Sequence, residues 1–255
     1  MTADLLDGSA VGMRFGGVHA LREVDVALQP GRRLGLIGPN GSGKTTLLNV
    51  LSGVYRATSG AIHFRGRSID RLGPGARARL GIVRTFQHPQ LAASLTIAEN
   101  VRLGAALGRR VHGSSAAEET ARVDAALELF GCAAYGEGLP DEVPYGVRKM
   151  AEVARAAAVE PVVLLLDEPA AGLSREERSE LIEAIERYYR EHPQTALCLV
   201  EHDVPLVTAL CPELLVLAAG QALASGPAQE VVRDEQVRVA YLGENVELKD
   251  TEEVG

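Results

Sequence analysis

The run Gly38-Pro39-Asn40-Gly41-Ser42-Gly43-Lys44-Thr45 has the spacing G-x-x-x-x-G-K-[ST], and residues of these types at that spacing can hold a polyphosphate. Glycines let the backbone coil tightly enough for several N–H groups to point at one anion, and a helix that begins there adds partial positive charge. Lys44 would neutralise the β- and γ-phosphates and the Thr45 hydroxyl would take a place on Mg²⁺, with Thr46 in the same helical turn. A second candidate is Asp167-Glu168, directly after an apolar run. An Asp there can hold the ion through its water shell, and a neighbouring carboxylate can orient or deprotonate an attacking water. The plainer alternative is a solvated acidic turn. Gln87 and His202 each close a predicted strand; either could orient a reactant, or serve only as a loop cap or a structural histidine.

Those residues need elements to hold them. Leu34, Leu36 and Ile37 read as a short buried strand before the glycine-rich turn, and Thr46 to Leu51 as the first turns of a helix after it. Upstream, Val24, Val26 and Leu28 alternate with polar or small residues, as in a half-exposed antiparallel strand. Gly60 to Phe64 and Ile82 to Phe86 predict further strands, with Gly73-Pro74-Gly75 as a loop between them. Beyond Gln87-His88-Pro89 the pattern turns helical. Thr96-x-x-Glu99 and Ser115-x-x-Glu118 are capping boxes, Gly108 to Ser115 reads as the connection between two helices, and Gly131 is placed to end the second. Pro161 to Leu166 is a continuous apolar run, typical of a parallel strand covered on both faces. Ser174-x-x-Glu177 caps a helix whose inner face carries Leu181, Ile182, Ile185 and Tyr189. Thr195 to Val200 predicts another buried strand, and Leu214 to Ala224 a hairpin turning at Gly220-Gln221. The resulting class is α/β, with a helical insertion.

The chain has 255 residues, 46% hydrophobic and 24% charged, which suffices for a large core. Its 26 basic and 34 acidic residues give a net charge of −8, a poor basis for binding nucleic acid through its phosphates. No stretch approaches a membrane-spanning length, and the first residues carry no secretion signal, so a cytoplasmic protein is expected. Cys132, Cys198 and Cys211 lack metal or redox spacing and read as buried small hydrophobes in a reducing compartment. The tail after Gly243 is acidic and aperiodic and is expected to be loose.

The order of these features resembles the ATP-binding subunit of ABC transporters, over roughly Ala10 to Glu244. That family implies a P-loop NTPase (RecA-like) core with an antiparallel β subdomain and an inserted helical subdomain. On this chain the core would span 1–86 and 160–225, the helical subdomain 87–159, and a C-terminal helix with a loose acidic tail 226–255. The resemblance makes Lys44 and its glycines the Walker A loop, Gln87 the Q-loop residue that helps bind metal and water, and Asp167 the Walker B aspartate. Glu168 becomes the catalytic glutamate and His202 the switch histidine. Phe15, upstream of Lys44, falls where the family stacks an aromatic ring on adenine, although a core or turn aromatic would look the same. Two sites depart from the pattern. The signature, usually Leu-Ser-Gly-Gly-Gln, reads Val143-Pro144-Tyr145-Gly146-Val147, leaving Tyr145, Gly146 and the helix from Val147 to Val159 to face a partner subunit's nucleotide. The D-loop reads Ala171-Gly172-Leu173-Ser174, without its usual Asp.

Tyr145-Gly146, Val83 to Gln87, Ala170 to Leu173 and Ala240 to Glu244 together look like the branch that serves branched-chain amino-acid importers and their relatives for urea, amides and aromatic acids. This resemblance implies ATP and Mg²⁺ as cofactors and a homodimer, or a heterodimer with a paralogous ATPase. It also implies separate transmembrane permeases, an extracytoplasmic solute-binding protein, and a place on the cytoplasmic face of the membrane. Two rivals stay open: a soluble ABC-type ATPase acting outside transport, and a weakly hydrolysing regulatory subunit, the latter suggested by the degenerate signature.

Overall fold

In the computed structural model, which describes residues 4–242, chain order gives β1 (Leu6–Phe15), β2 (Val18–Leu28), β3 (Arg33–Ile37), α1 (Lys44–Leu51), β4 (Ser59–Phe64), β5 (Arg67–Ser68), α2 (Pro74–Arg79) and β6 (Ile82–Arg84). Three helices follow, α3 (Ile97–His112), α4 (Ala116–Leu129) and α5 (Tyr145–Ala157). The chain then returns through β7 (Val163–Asp167), α6 (Arg175–Glu191), β8 (Ala196–Val200), α7 (Val204–Leu210), β9 (Glu213–Ala218), β10 (Gln221–Pro227), α8 (Ala228–Val231) and α9 (Glu235–Leu242). The acidic tail expected beyond Gly243 lies outside the described residues. No helix among the described residues is long and apolar enough to cross a membrane.

Strands β2-β1-β4-β5 form an antiparallel sheet, and β10-β9-β3-β8-β7-β6 form the central one. From β9 to β6 every pairing in the central sheet is parallel, and β10 closes it as a hairpin. Parallel strands covered on both faces need largely apolar side chains, and the central strands β7 and β8 are buried along their whole length. Leu164 and Leu166 of β7, with Leu197 and Leu199 of β8, join the cluster built by α3 to α7. Val163, Leu165, Ala196, Cys198 and Val200 join the opposite cluster with α1 and the antiparallel sheet. All three cysteines are buried and free, and burial pushes the Cys132 and Cys198 thiols up to about 12. They pack as small apolar groups.

Local signals act as their chemistry dictates, with three corrections. The boxes at Thr96/Glu99, Ser115/Glu118 and Ser174/Glu177 all form, and Gly131 takes the left-handed φ of +65° that ends α4. Gly73-Pro74-Gly75, expected as a loop, instead starts α2: Gly73 caps and Pro74 sits in the first turn, where its missing N–H costs nothing. Gly108 is inside α3 and not in a connection, which shrinks to Gly113–Ser115. The reason is packing. A Cβ on Gly104 would lie 1.9 Å from the Arg155 carbonyl oxygen, and one on Gly108 2.7 Å from that of Val159. One turn apart on α3, these glycines let two helix backbones touch. Finally, α5 begins at Tyr145, not Val147, because Pro144 has the extended backbone of an N-cap.

Gly104→Ala should therefore destabilise the protein despite alanine's better helix propensity. Overpacking against backbone costs about 1–3 kcal/mol and should exceed the gain of about 1 kcal/mol from propensity. Thermal unfolding monitored by circular dichroism should show a lower midpoint for this variant than for the parent.

Candidate active site

Because β3, β8, β7 and β6 are adjacent and parallel, their C-terminal ends lie in one row. That row carries, in order, the loop from Gly38, then His202, then Asp167-Glu168, then Gln87. The crevice beyond the carboxyl ends of parallel strands is where open α/β sheets bind ligands.

The loop depends on glycine at three points. Gly38, Gly41 and Gly43 have φ of +150°, +73° and +105°. A Cβ on Gly38 would reach within 2.1 Å of the Leu217 carbonyl, and on Gly43 within 2.6 Å of that of Ala20. The loop is braced from beneath by the β9–β10 turn, where the Gly220 N–H donates to the Ser42 carbonyl at 3.1 Å. No side chain caps the N-terminus of α1, which leaves its first amides available to an anion. Lys44 is buried and its ammonium donates to the carbonyls of Gly38 (2.6 Å) and Pro39 (2.9 Å), folded across the loop it would share with a phosphate.

Glu168 is the meeting point of the row. Gln87 Nε2 donates to its Oε2 and His202 Nε2 lies against its Oε1, each at 2.8 Å. A carboxylate oxygen accepts, so that histidine nitrogen carries the proton. Glu168, just past the end of β7, has φ +48°, a left-handed conformation that a residue with a side chain rarely adopts. Its backbone is fixed on both sides: its N–H donates to the Val200 carbonyl at 2.9 Å, and its carbonyl accepts from Lys149 Nζ at 3.0 Å.

Asp167 is buried and pairs with Arg84 at 2.8 Å; Arg84 also donates to Asn49 Oδ1. Burial raises the Asp167 carboxyl above its ordinary range, and the Arg84 hydrogen bond and charge work against that rise. Its other oxygen, Oδ1, is buried without a hydrogen-bond partner. An orphaned carboxylate oxygen at this edge suits a divalent cation. Among the described residues no group of three or more His, Cys, Asp or Glu side chains could hold a metal ion, so such an ion would need oxygens from a phosphate and water.

The structure joins Gln87, Glu168 and His202, and keeps Lys44 within its loop. It places Phe15, Tyr145 and Gly146 outside that cluster. Phe15 ends β1, half exposed, with its ring edge-on to Tyr55 at 5.3 Å. Tyr145 lies against the D-loop, its hydroxyl donating to the Ala171 carbonyl at 3.3 Å and its ring against Gly172. Gly146 is covered by Glu177, whose Oε1 stands 1.9 Å from where a Cβ would be. Four further charged residues build the site without having been singled out: Arg84, Lys149, Glu152 and Glu201. Glu201 accepts from the Ala170 and His202 amides, at 2.7 and 3.3 Å. The available signal was charge where burial is expected: Arg84 inside an apolar strand, Glu201 directly after one, and Lys149-x-x-Glu152 in a helix of Ala, Val and Met.

Comparison with known proteins agrees with this geometry. Residues 21–171 match the family model described as "ABC transporter". The chain belongs to the ABC transporter family, as one of its ATP-binding ATPase subunits. Residues 223–247 also match the model of the branched-chain amino acid ATP-binding cassette transporter. The chain is 37% identical, over 96% of its length and all of the relative's, to LivG of Escherichia coli (strain K12), a high-affinity branched-chain amino acid transport ATP-binding protein. It is 35% identical, over the same shares, to the corresponding protein BraF of Pseudomonas aeruginosa. A crystal structure of the ADP conformation of an ABC-transporter cassette aligns with a TM-score of 0.79 and 28% identity, over 95% of this chain and 100% of that one.

Removing the Arg84 charge leaves Asp167 buried and unpaired, an error that costs about 3–5 kcal/mol. Arg84→Met should lower stability to urea by about that much, and adding Asp167→Asn should recover most of it. Equal losses in the single and double variants would show that the pair is not coupled.

Proposed function

We propose that the chain is the engine of a membrane importer for branched-chain amino acids or related small polar solutes, acting on the cytoplasmic face. Its reaction would be hydrolysis of ATP to ADP and phosphate. The observation that carries this reading is the convergence of Gln87 and His202 on Glu168, with the end of β8 between it and the glycine-rich loop.

In this reading the loop amides, Lys44 and the first turn of α1 bind the β- and γ-phosphates, and Phe15, backed by Tyr55, stacks on adenine. Thr45 and the free oxygen of Asp167 hold Mg²⁺, with Gln87 beside them. Once bound, the ion supplies charge neutralisation at the transferring phosphoryl group. The Glu168 carboxylate orients the attacking water and takes up its proton, while Gln87 and His202 fix the angle of that carboxylate. By the resemblance, His202 would also contact the γ-phosphate. Relatives named for branched-chain amino acid transport, together with the C-terminal model match, support the solute class. The resemblance supports the remaining parts: a second ATPase subunit whose Tyr145-Gly146 counterpart closes on the nucleotide, separate permeases, and a solute-binding protein outside the membrane.

Glu168→Gln keeps the shape but removes the base: its amide oxygen still accepts from His202, and its NH2 donates to Gln87 once that side chain's own amide turns over. Steady-state phosphate release should fall by roughly 10²–10⁴-fold, while a fluorescent ATP analogue still binds with near-parental affinity. Turnover at the parental rate would sink the role assigned to Glu168.

A further inference from the structure

One face of α5 grips the segment that follows β6. Lys149, Glu152 and Arg155 recur at helical spacing, and all three reach the backbone of residues 86–90. Lys149 Nζ donates to the Gln87 carbonyl at 2.5 Å. Glu152 Oε1 accepts from the amides of Phe86 and Gln90, at 3.4 and 3.1 Å. Arg155 Nη1 donates to the Gln90 carbonyl at 2.6 Å. Just downstream, buried Asn100 of α3 holds Ala92 by both its amide and its carbonyl, at 2.7 and 3.1 Å. The segment thus belongs mechanically to the helices, although it leaves from a strand of the central sheet.

Against these bonds stand two that tie the same unit to the end of β7, and both land on Glu168. One runs from the Gln87 side chain to the carboxylate, the other from Lys149 to the Glu168 carbonyl at 3.0 Å. Lys149 is the one side chain here that touches both the 86–90 backbone and Glu168, and it is only 1% exposed. An ammonium buried this deeply is costly unless fully hydrogen-bonded, so its position is strongly determined.

The geometry points to Lys149 as a positioning residue for hydrolysis: it registers α5 and the 86–90 segment against Glu168, so that Gln87 meets the carboxylate only when helices and sheet are aligned. The inference rests on the reading of Glu168 as the residue that orients water. Motion of the helices relative to the sheet would carry the segment along and break at the Glu168 contacts first, because the bonds on the helical side are more numerous.

The test uses the full chain and two variants, Lys149→Met and Glu152→Met, with Lys149→Arg as the conservative control. Lys149→Met should lower kcat by on the order of 10²-fold, as misplacement of a reacting group does, with KM for ATP within about threefold of parental. Lys149→Arg should recover most of that loss. Glu152→Met, which leaves the Phe86 and Gln90 amides without an acceptor, should speed amide exchange in residues 86–90 and lower kcat in the same direction, which decides the matter if Lys149→Met does not fold. A folded Lys149→Met with parental kcat, a rise in KM at unchanged kcat, or faster exchange in Glu152→Met without loss of kcat would overturn the inference. Amide exchange does not depend on turnover. If Glu168→Gln hydrolyses ATP normally, the water-orienting role fails while the exchange data still report on the grip of α5, and unchanged exchange in Glu152→Met overturns the grip independently.

Discussion

The placement of β7 between β8 and β6 is the constraint on which the site depends. A residue at the end of a central parallel strand has neighbours on both sides, and Glu168 uses both: His202 comes from beyond β8 and Gln87 from beyond β6. Its left-handed backbone, a conformation that costs about 1–3 kcal/mol, turns the chain sharply at the end of β7. That strain persists because hydrogen bonds to Val200 and from Lys149 over-determine the peptide. The strain therefore belongs to the placement of the carboxylate, and relaxing it would break at least one of four contacts at once.

Charge is the second organising feature. Asp167, Glu152 and Glu201 are buried, and burial raises each of their carboxyls, while Lys149 and Arg155 are lowered for the same reason. Apolar side chains of similar volume would fold at least as stably in such positions, so this density of buried charge serves geometry and not stability. All but Asp167, which pairs with Arg84, fix particular backbone groups: Glu201 holds Ala170, Glu152 holds Phe86 and Gln90, Arg155 holds Gln90, and Lys149 holds Gln87 and Glu168. Loops that would otherwise wander are pinned by partners that cannot be exchanged without leaving a charge exposed to a low dielectric.

Much of this could be read from the chain because the signals were local. A glycine-rich turn between an apolar strand and a helix, capping boxes four residues long, and an apolar run covered on both faces each report their structure within a few residues. What failed was non-local. Gly108 looks like a loop glycine until the Val159 carbonyl against it is seen, and Gly73-Pro74 looks like a turn until the helix it opens is packed. The supporting charges were hidden for the same reason. Lys149 and Glu152 look like the polar face of an amphipathic helix, and only the fold brings residues 86–90 across them.

The departures at Pro144 and Val147 acquire a position from this account. Helix α5 makes two sets of contacts, and they differ in completeness. Its middle carries the Lys149, Glu152 and Arg155 contacts, which act within this chain and are intact. Its N-terminus has no side-chain cap, and the Glu177 carboxylate lies over Gly146, opposing any anion that approaches there. A phosphate offered by a second subunit would have to displace Glu177, which Ser174 holds through its backbone N–H at 2.7 Å. On the proposed reading, the contacts this chain would use on its own nucleotide are in place, while the helix end it would lend to a partner is reduced. In a pair with a paralogue bearing a fuller signature, the nucleotide held by this chain's loop would sit in the more complete of the two sites.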